Sequence, residues 1–279
     1  MNQDKGISIV ITNLNDFRTF GLIDVLRKFQ FSEIIIADGG SNKAFLEKVN
    51  TINSPKIKFY DLPGSIAVTR SKVVSKINGE ITVFIDTDEI PCKDDWLEEL
   101  VFPIVTGEAD FTFGPTSPLK PPANRIARYF DSYDKWFYSN VLPFDISKGP
   151  MGNSAWRTDL LREIGFDPGL SIGGEDYDVN LRALAAGYHG KFSKNAVVYH
   201  DQNGIKTLRS FIKKMFWNYL TGASLAYRKN NSGRKKISSS FSGSLWKGDP
   251  LEILVIILKP FALITSYILS MNLLRKWKR

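Results

Sequence analysis

The stretch Ile81–Glu89, ITVFIDTDE, decides the fold. Five apolar or β-branched residues, ITVFI, have the length and composition of a buried strand. They run without a spacer into Asp86-Thr87-Asp88-Glu89, so the strand must end where carboxylates become useful. Upstream, Ala67–Ile77 reads as a helix that closes at Asn78-Gly79. Lys56–Tyr60 is a short strand. Glu33–Ala37 (EIIIA) is a buried strand that ends in Asp38-Gly39-Gly40-Ser41. Phe20–Phe29 has helical spacing, with Leu22, Val25, Leu26 and Phe29 on one face. Ile7–Ile11 (ISIVI) is a first strand that ends in Thr12–Asp16. This β-α-β-α-β order predicts an α/β fold: a Rossmann-like, mostly parallel sheet flanked by helices. Ligands bind beyond the carboxyl ends of such strands. The loops Thr12–Asp16, Asp38–Ser41 and Asp86–Glu89 should therefore share one edge and build one site.

Downstream, Asp110–Gly114 is a further strand, and Gly114–Pro122, with four prolines, reads as a loop. Arg125–Asn140 is rich in aromatics. Gly149–Trp156 is a small-residue loop, and Thr158–Ile164 a short helix. Gly173-Gly174-Glu175-Asp176 opens a helix that ends at Gly187. Ala196–Tyr199 is a last strand, followed by His200.

Composition narrows the chemistry. The single cysteine, Cys92, excludes an internal disulfide framework and fits a reducing compartment. With only His189 and His200, a multi-histidine metal site is excluded. Any metal must be held mainly by carboxylates, which favours Mg²⁺ or Mn²⁺. Met1–Gly6 lacks the pattern of a signal peptide, and none is expected. Of the 37 Lys and Arg and 29 Asp and Glu, residues 202–279 hold 15 basic side chains against Asp249 and Glu252 alone; residues 1–201 hold the other 22 and 27. A mildly acidic body thus precedes a strongly basic end, which points to an anionic surface partner.

Four features carry chemistry. Asp86 and Asp88, at i and i+2 on a turn, can converge on one divalent cation that bridges a diphosphate; Asp is also an ordinary turn residue. Glu175-Asp176 at a helix start offers a general base, although acids also serve there as caps and dipole partners. His200 can complete a metal shell if its strand end lies beside Asp86 and Asp88. Arg70 can pair with phosphate, or form a surface ion pair.

In sum, the chain resembles the inverting GT-A glycosyltransferases of the family 2 type. The resemblance rests on SIVITNLN, EIIIADGGS, PGSIAVTRSKVVSKINGE, FIDTDEIP, GNSAWRTDLLREIGFDPGL and GGEDYDVNLRALAAGY, and spans about Ile7 to His200. It implies a GT-A fold and a nucleotide-diphosphate sugar donor with a Mg²⁺ or Mn²⁺ cofactor. It implies that Asp38 contacts the nucleotide base and that Arg70 lies near base or diphosphate. Asp86 and Asp88 correspond to the metal and diphosphate motif, Asp176 to the catalytic base, and His200 to an extra metal ligand. Gly152 and Asn153 fall in the loop that lines the sugar and acceptor pocket. Leu14 stands where an aromatic is usual, and Gly39 where a second Asp is usual. The resemblance therefore does not choose among uridine, guanosine and thymidine.

The C-terminal region reads differently. Thr207–Lys229 has amphipathic helical spacing. Leu251–Leu274 is mostly apolar but is interrupted by Lys259-Pro260, and Arg275–Arg279 is basic. Basic residues on both sides disfavour a simple span, and a central Lys beside Pro adds cost. The reading is a catalytic unit over 1–205 and a basic, helical, membrane-associating region over 206–279. That region would lie bent in the plane of a cytoplasmic leaflet. A single span, a buried helix and an oligomer contact are its alternatives. Membrane attachment suggests a lipid-linked glycan or polyprenyl phosphate as acceptor. Two other functions fit parts of the chain. A sugar nucleotidyltransferase would want a glycine-rich loop after the first strand, which Thr12–Asp16 lacks. A nucleic-acid binder would want a compact aromatic-basic motif, and none is present.

Overall fold

The structure, a computed structural model, describes residues 6–118, 120–201, 205–230 and 250–277. Strands β1 (Ile7–Asn13), β2 (Glu33–Asp38), β3 (Ile57–Asp61) and β4 (Ile81–Asp86) are parallel, in the order β3-β2-β1-β4. Helices α1 (Arg18–Leu26), α2 (Lys43–Val49) and α3 (Ile66–Val73) connect them. Asn42 and Ser65 accept from Phe45 N and Val68 N and so cap α2 and α3. Alternation along the strands feeds two cores. Ile9, Ile11, Val83 and Ile85 pack with Leu22, Leu26 and Trp96 on one face. Val10, Ile35 and Phe84 pack with Val73, Trp156 and Val179 on the other. With both faces covered, these strands need the near-continuous apolar runs they have.

Beyond β4 come β5 (Glu89–Pro91), α4 (Trp96–Val105), β6 (Phe111–Phe113), β7 (Thr116–Pro118) and α5 (Arg125–Asn140). Then follow β8 (Ser154–Arg157), α6 (Thr158–Ile164), α7 (Glu175–Ala185), β9 (Gly190–Phe192) and β10 (Val198–His200). The large sheet continues β4-β8-β6-β9, with β8 antiparallel to both neighbours. The expected Gly149–Trp156 loop is thus partly strand: Ser154, Ala155 and Trp156 are buried between β4 and β6. The expected Gly114–Pro122 loop contains β7, at the edge of a second sheet ordered β5-β10-β7. An edge position tolerates Pro118 because the ladder needs few of its donors.

The C-terminal part packs on this body. α8 (Leu208–Lys213), a π-helical stretch Lys214–Gly222 and α9 (Ala223–Asn230) follow one another without a break. α9 is tied to α7 through Asp178, which is fully buried and 2.8 Å from both Lys229 Nζ and Asn230 Nδ2. Lys229 also meets Asp167 at 2.7 Å. The last helix, α10 (Pro250–Trp277), packs on the π-helical stretch and α9. The expected interruption at Lys259-Pro260 is corrected: the helix runs through Pro260, whose missing N–H leaves out one bond to the turn before it. Pro250–Met271 is long and apolar enough to cross a membrane, with a mean hydropathy of 2.1. Its outer face exposes Ile253, Ile257, Phe261, Ile264 and Ile268.

Candidate active site

Asp86 is the last residue of β4, in register with Thr12 on β1. Thr87 Oγ1 donates to Asp16 Oδ2 at 2.7 Å, which joins the loop after β1 to the DTD turn. Asp86 N donates to Glu89 Oε2 at 3.0 Å. Glu89 is almost fully buried, and burial followed by the charge of Asp86 pushes its carboxyl up to about 8. Gly152 presses its backbone against this group. A Cβ there would stand 2.7 Å from Asp86 Oδ2 and 2.8 Å from Glu89 Oε2, so no larger residue fits without displacing the carboxylates.

The second sheet delivers His200. Antiparallel pairing of β10 with β5 sets His200 opposite Glu89. Its Nε2 lies 3.5 Å from Asp88 Oδ2 and its Nδ1 lies 3.9 Å from Asp134 Oδ2. Burial lowers the imidazole pKa, but the hydrogen bond and charge of Asp88, with Glu89 and Asp134, overrule it and lift it to about 9. Burial pushes Asp134 up to about 6 against the opposing pull of His200. Arg18 adds a cation on the outer side, 2.6 Å from Asp16 and 3.9 Å from Asp88.

Arg70 links this group to the second acidic motif. Its Nη2 donates to Asp86 Oδ1 at 3.1 Å and its Nη1 to Glu175 Oε1 at 2.8 Å. Arg70 is 3% and Glu175 7% exposed, so that pair is shielded from water, whereas the Asp86 side chain is 39% exposed and opens on the cleft. Glu175 opens α7. Burial, then the charge of Asp176, pushes Glu175 up to about 7 although Arg70 opposes the shift. Burial also raises Asp176, whose Oδ1 accepts from Tyr177 N at 2.7 Å. The turn before α7 needs its glycines. Gly173 and Gly174 have φ of 120° and 86°, and Gly174 meets the carbonyl of Gly222 so closely that a Cβ would lie 2.3 Å from it.

Most of these groups line one cleft of about 1130 Å³. Arg70, Asp86, Asp88, Gly152, Asp176 and His200, all anticipated from the sequence, face it together. Asp38 and Asn153 do not line it. Asp38 is fully buried and accepts from Asn13 Nδ2, Ser41 Oγ, Gly40 N and Ser41 N, so both of its oxygens hold the turn after β2. Asn153 has φ of 53°. It accepts from Trp96 Nε1 at 2.8 Å and donates to the carbonyls of Pro115 and Ala196. Its side chain thus braces the loop that carries Gly152. The sequence reading placed Glu89 in a site loop without giving it a role, and missed Asp134, Lys214 and the α10 residues Glu252 and Lys259 as cleft residues. Glu89 had a signal, since it adjoins the DTD turn. Asp134 and Lys214 had none, because single charges on amphipathic helices are commonplace.

The donor set fits a hard divalent cation. Asp86, Asp88 and His200 offer carboxylate oxygen and imidazole nitrogen beside a glycine backbone that leaves room. Among the described residues no three such side chains already form a closed cage, so the ligands would have to draw together around an ion.

Comparison with known proteins agrees with this arrangement. The chain resembles in fold a mannosyltransferase, PcManGT, from Pyrobaculum calidifontis in complex with GDP-Man and Mn²⁺, at 16% identity and a TM-score of 0.60, over 94% of this chain and 73% of that one. It also resembles glucosyl-3-phosphoglycerate synthase from Mycobacterium tuberculosis in complex with Mn²⁺, UDP and phosphoglyceric acid, at 18% identity and a TM-score of 0.54, over 81% and 78%. TarS (residues 1–349) from S. aureus matches at 16% identity and a TM-score of 0.54, over 94% and 80%. No curated protein matches in sequence. The family model described as glycosyl transferase family 2 matches residues 9–157, more than half of the chain, from β1 through the DTD turn to β8. The chain is therefore a member of glycosyl transferase family 2 with the GT-A fold.

Proposed function

We propose that this glycosyltransferase moves a sugar from a nucleotide-diphosphate donor to an acceptor hydroxyl, with inversion at the anomeric carbon. A divalent cation, Mg²⁺ or Mn²⁺, assists, and Asp176 is the general base. The observation that carries the reading is the convergence of Asp86, Asp88 and Asp176 on one cleft from two distant stretches of the chain. Membership of the family removes the reasons to prefer a nucleotidyltransferase or a nucleic-acid binder.

Asp86, Asp88 and His200 would hold the cation. When bound, it supplies a fixed positive charge that stabilises the departing diphosphate. The acceptor oxygen attacks the anomeric carbon while its proton passes to Asp176. The bond from that carbon to the phosphate oxygen breaks, and its electron pair leaves with the diphosphate. One displacement inverts the configuration. Burial gives Asp176 a higher proton affinity than a surface aspartate, which suits a base. Arg70 keeps Asp86 and Glu175 in fixed relation, so donor and base sites stay in register. Asp38 serves the nucleotide by shaping the loop Gly39–Ser41, and Asn153 serves the sugar by bracing Gly152.

The acceptor side of the cleft includes Glu252, Val255, Ile256 and Lys259 of α10. The same helix exposes an apolar outer face, which favours a lipid-linked acceptor met at an anionic membrane surface. The neighbours of like fold carry GDP-Man or UDP with Mn²⁺, which supports a donor of this class.

The test uses the full chain with UDP, GDP and dTDP sugars and Mn²⁺ or Mg²⁺, scored for slow donor hydrolysis. Chelation should abolish turnover. Asp176→Asn should lower kcat by about 10²- to 10⁴-fold with nucleotide affinity kept. An Asp176→Asn protein that turns over at nearly the wild-type rate would sink the assignment.

A further inference from the structure

Lys214 opens the π-helical stretch and lines the same cleft as Asp86, Asp88 and Asp176. Its ammonium lies 5.2 Å from the centre of the Phe130 ring and 5.9 Å from that of Tyr219. Among the described residues it forms no ion pair or hydrogen bond. Lys213, the neighbouring cation that lines the cleft, is exposed, and three others are engaged. Arg70 holds Asp86 and Glu175, His200 stands between Asp88 and Asp134, and Lys148 pairs with Asp145 at 3.1 Å. Two aromatic faces thus fix the position of an ammonium without neutralising it. Burial pulls its pKa down, while the charges of Asp88, Asp134 and Asp86 hold it up.

An acidic cleft that must admit an anionic substrate needs a cation not already spent on its own carboxylates. We propose that Lys214 is a phosphate-binding residue of this enzyme, placed to meet the diphosphate of the sugar donor as it becomes the leaving group. The donor is favoured over an acceptor phosphate because the carboxylates whose fields reach Lys214 include Asp88 and Asp86, at the DTD turn. A compact ammonium with three rotatable donors suits a phosphate whose charge grows during the reaction. Lys214 lies outside residues 9–157, so the family match does not supply it. The inference rests on the glycosyltransferase reading above.

The experiment titrates the full chain, with Mg²⁺ present, with UDP, GDP, dTDP, UMP, GMP and dTMP, and separately with farnesyl phosphate in detergent. Wild type, Lys214→Met, Lys214→Gln and Lys214→Arg are compared. For whichever diphosphate the wild type binds, Lys214→Met and Lys214→Gln should lose roughly 10- to 100-fold, the scale of one charge-assisted hydrogen bond. The matching monophosphate should change by no more than about twofold, and Lys214→Arg should keep most of the affinity. A loss confined to farnesyl phosphate would overturn the donor assignment and move the contact to the acceptor's phosphate. Folded variants that bind every probe as the wild type does would overturn the proposal and leave the functional reading standing. A wild-type protein that binds none of the probes would overturn both.

Discussion

Arg70 and Glu175 meet through a 2.8 Å ion pair in which neither side chain is more than 7% exposed. The two residues are 105 positions apart, on α3 and at the start of α7. The same guanidinium reaches Asp86, so one side chain couples the end of β4 to the second acidic motif. Arg70 Nε is itself buried without a partner, which makes the position costly unless both carboxylates are present.

Removing that guanidinium should therefore leave the buried Glu175 carboxylate without its cation, with Asp86 beside the gap. Arg70→Met is expected to destabilise the fold by about 3–5 kcal/mol. In a double-mutant cycle with Glu175→Gln, the two changes together should cost less than their sum by about 1 kcal/mol or more. Denaturant unfolding measures this, and simple additivity would show that the pair is not coupled.

The turn before α7 depends on the absence of a side chain. Gly174→Ala places a Cβ 2.3 Å from the Gly222 carbonyl at a φ of 86°, so the strain adds to the clash. The expected cost is about 2–4 kcal/mol. Asp176 should shift with the turn, so kcat should fall more steeply than stability alone explains. A loss below 1 kcal/mol with normal kcat would mean that the π-helical stretch does not clamp this turn.

Acid stability has a specific contributor away from the cleft. Burial would raise Glu33, but Lys58 at 2.5 Å, Ser8 and Asn78 hold its carboxyl down at about 2. A depressed carboxylate stabilises the fold fully above its unfolded value, near 4.5, and the contribution is lost as pH falls toward 2. Lys58 is 38% exposed, so screening limits the gain to on the order of 1–2 kcal/mol. Glu33→Gln should be less stable than wild type at pH 7 by about that much, and the gap should close between pH 4.5 and 2. A gap unchanged across that window would exclude Glu33 as the source.

The outer face of α10 should govern membrane binding if the acceptor is met there. Ile257 and Phe261 are 54% and 60% exposed, so Ile257→Glu and Phe261→Glu together should leave thermal stability nearly unchanged. Co-sedimentation of the full chain with vesicles rich in anionic lipid should fall at least about tenfold, since two large apolar side chains no longer enter the interface. Equal binding by the double variant would remove α10 as the contact.

The apolar strand runs and their polar ends made the parallel half of the sheet legible from sequence. ISIVI, EIIIA and ITVFI could only be buried, and helices between them could only cover the two faces. Asp86, Asp88 and Asp176 were legible for the same reason: each sits where an element ends or begins. β8 was not, because a four-residue antiparallel insertion has too few residues to show a period. Asp38 and Asn153 were legible as polar residues in the right loops. Their side chains turn inward to satisfy buried donors and acceptors, a choice that depends on neighbours distant in sequence.

By itself, then, the sequence determined an α/β sheet with its carboxylates at one edge, because period, run length and turn chemistry are local properties. Only the tertiary structure decided what those carboxylates meet. His200 reaches Asp88 because β10 pairs with β5, and Arg70 joins Asp86 to Glu175 because α3 and α7 flank the end of β4. The basic C-terminal region likewise contributes Lys214 and the inner side of α10 to the cleft. Contacts of this kind arise from packing between elements, and the charge and spacing of a single segment carry no record of which partner will face it.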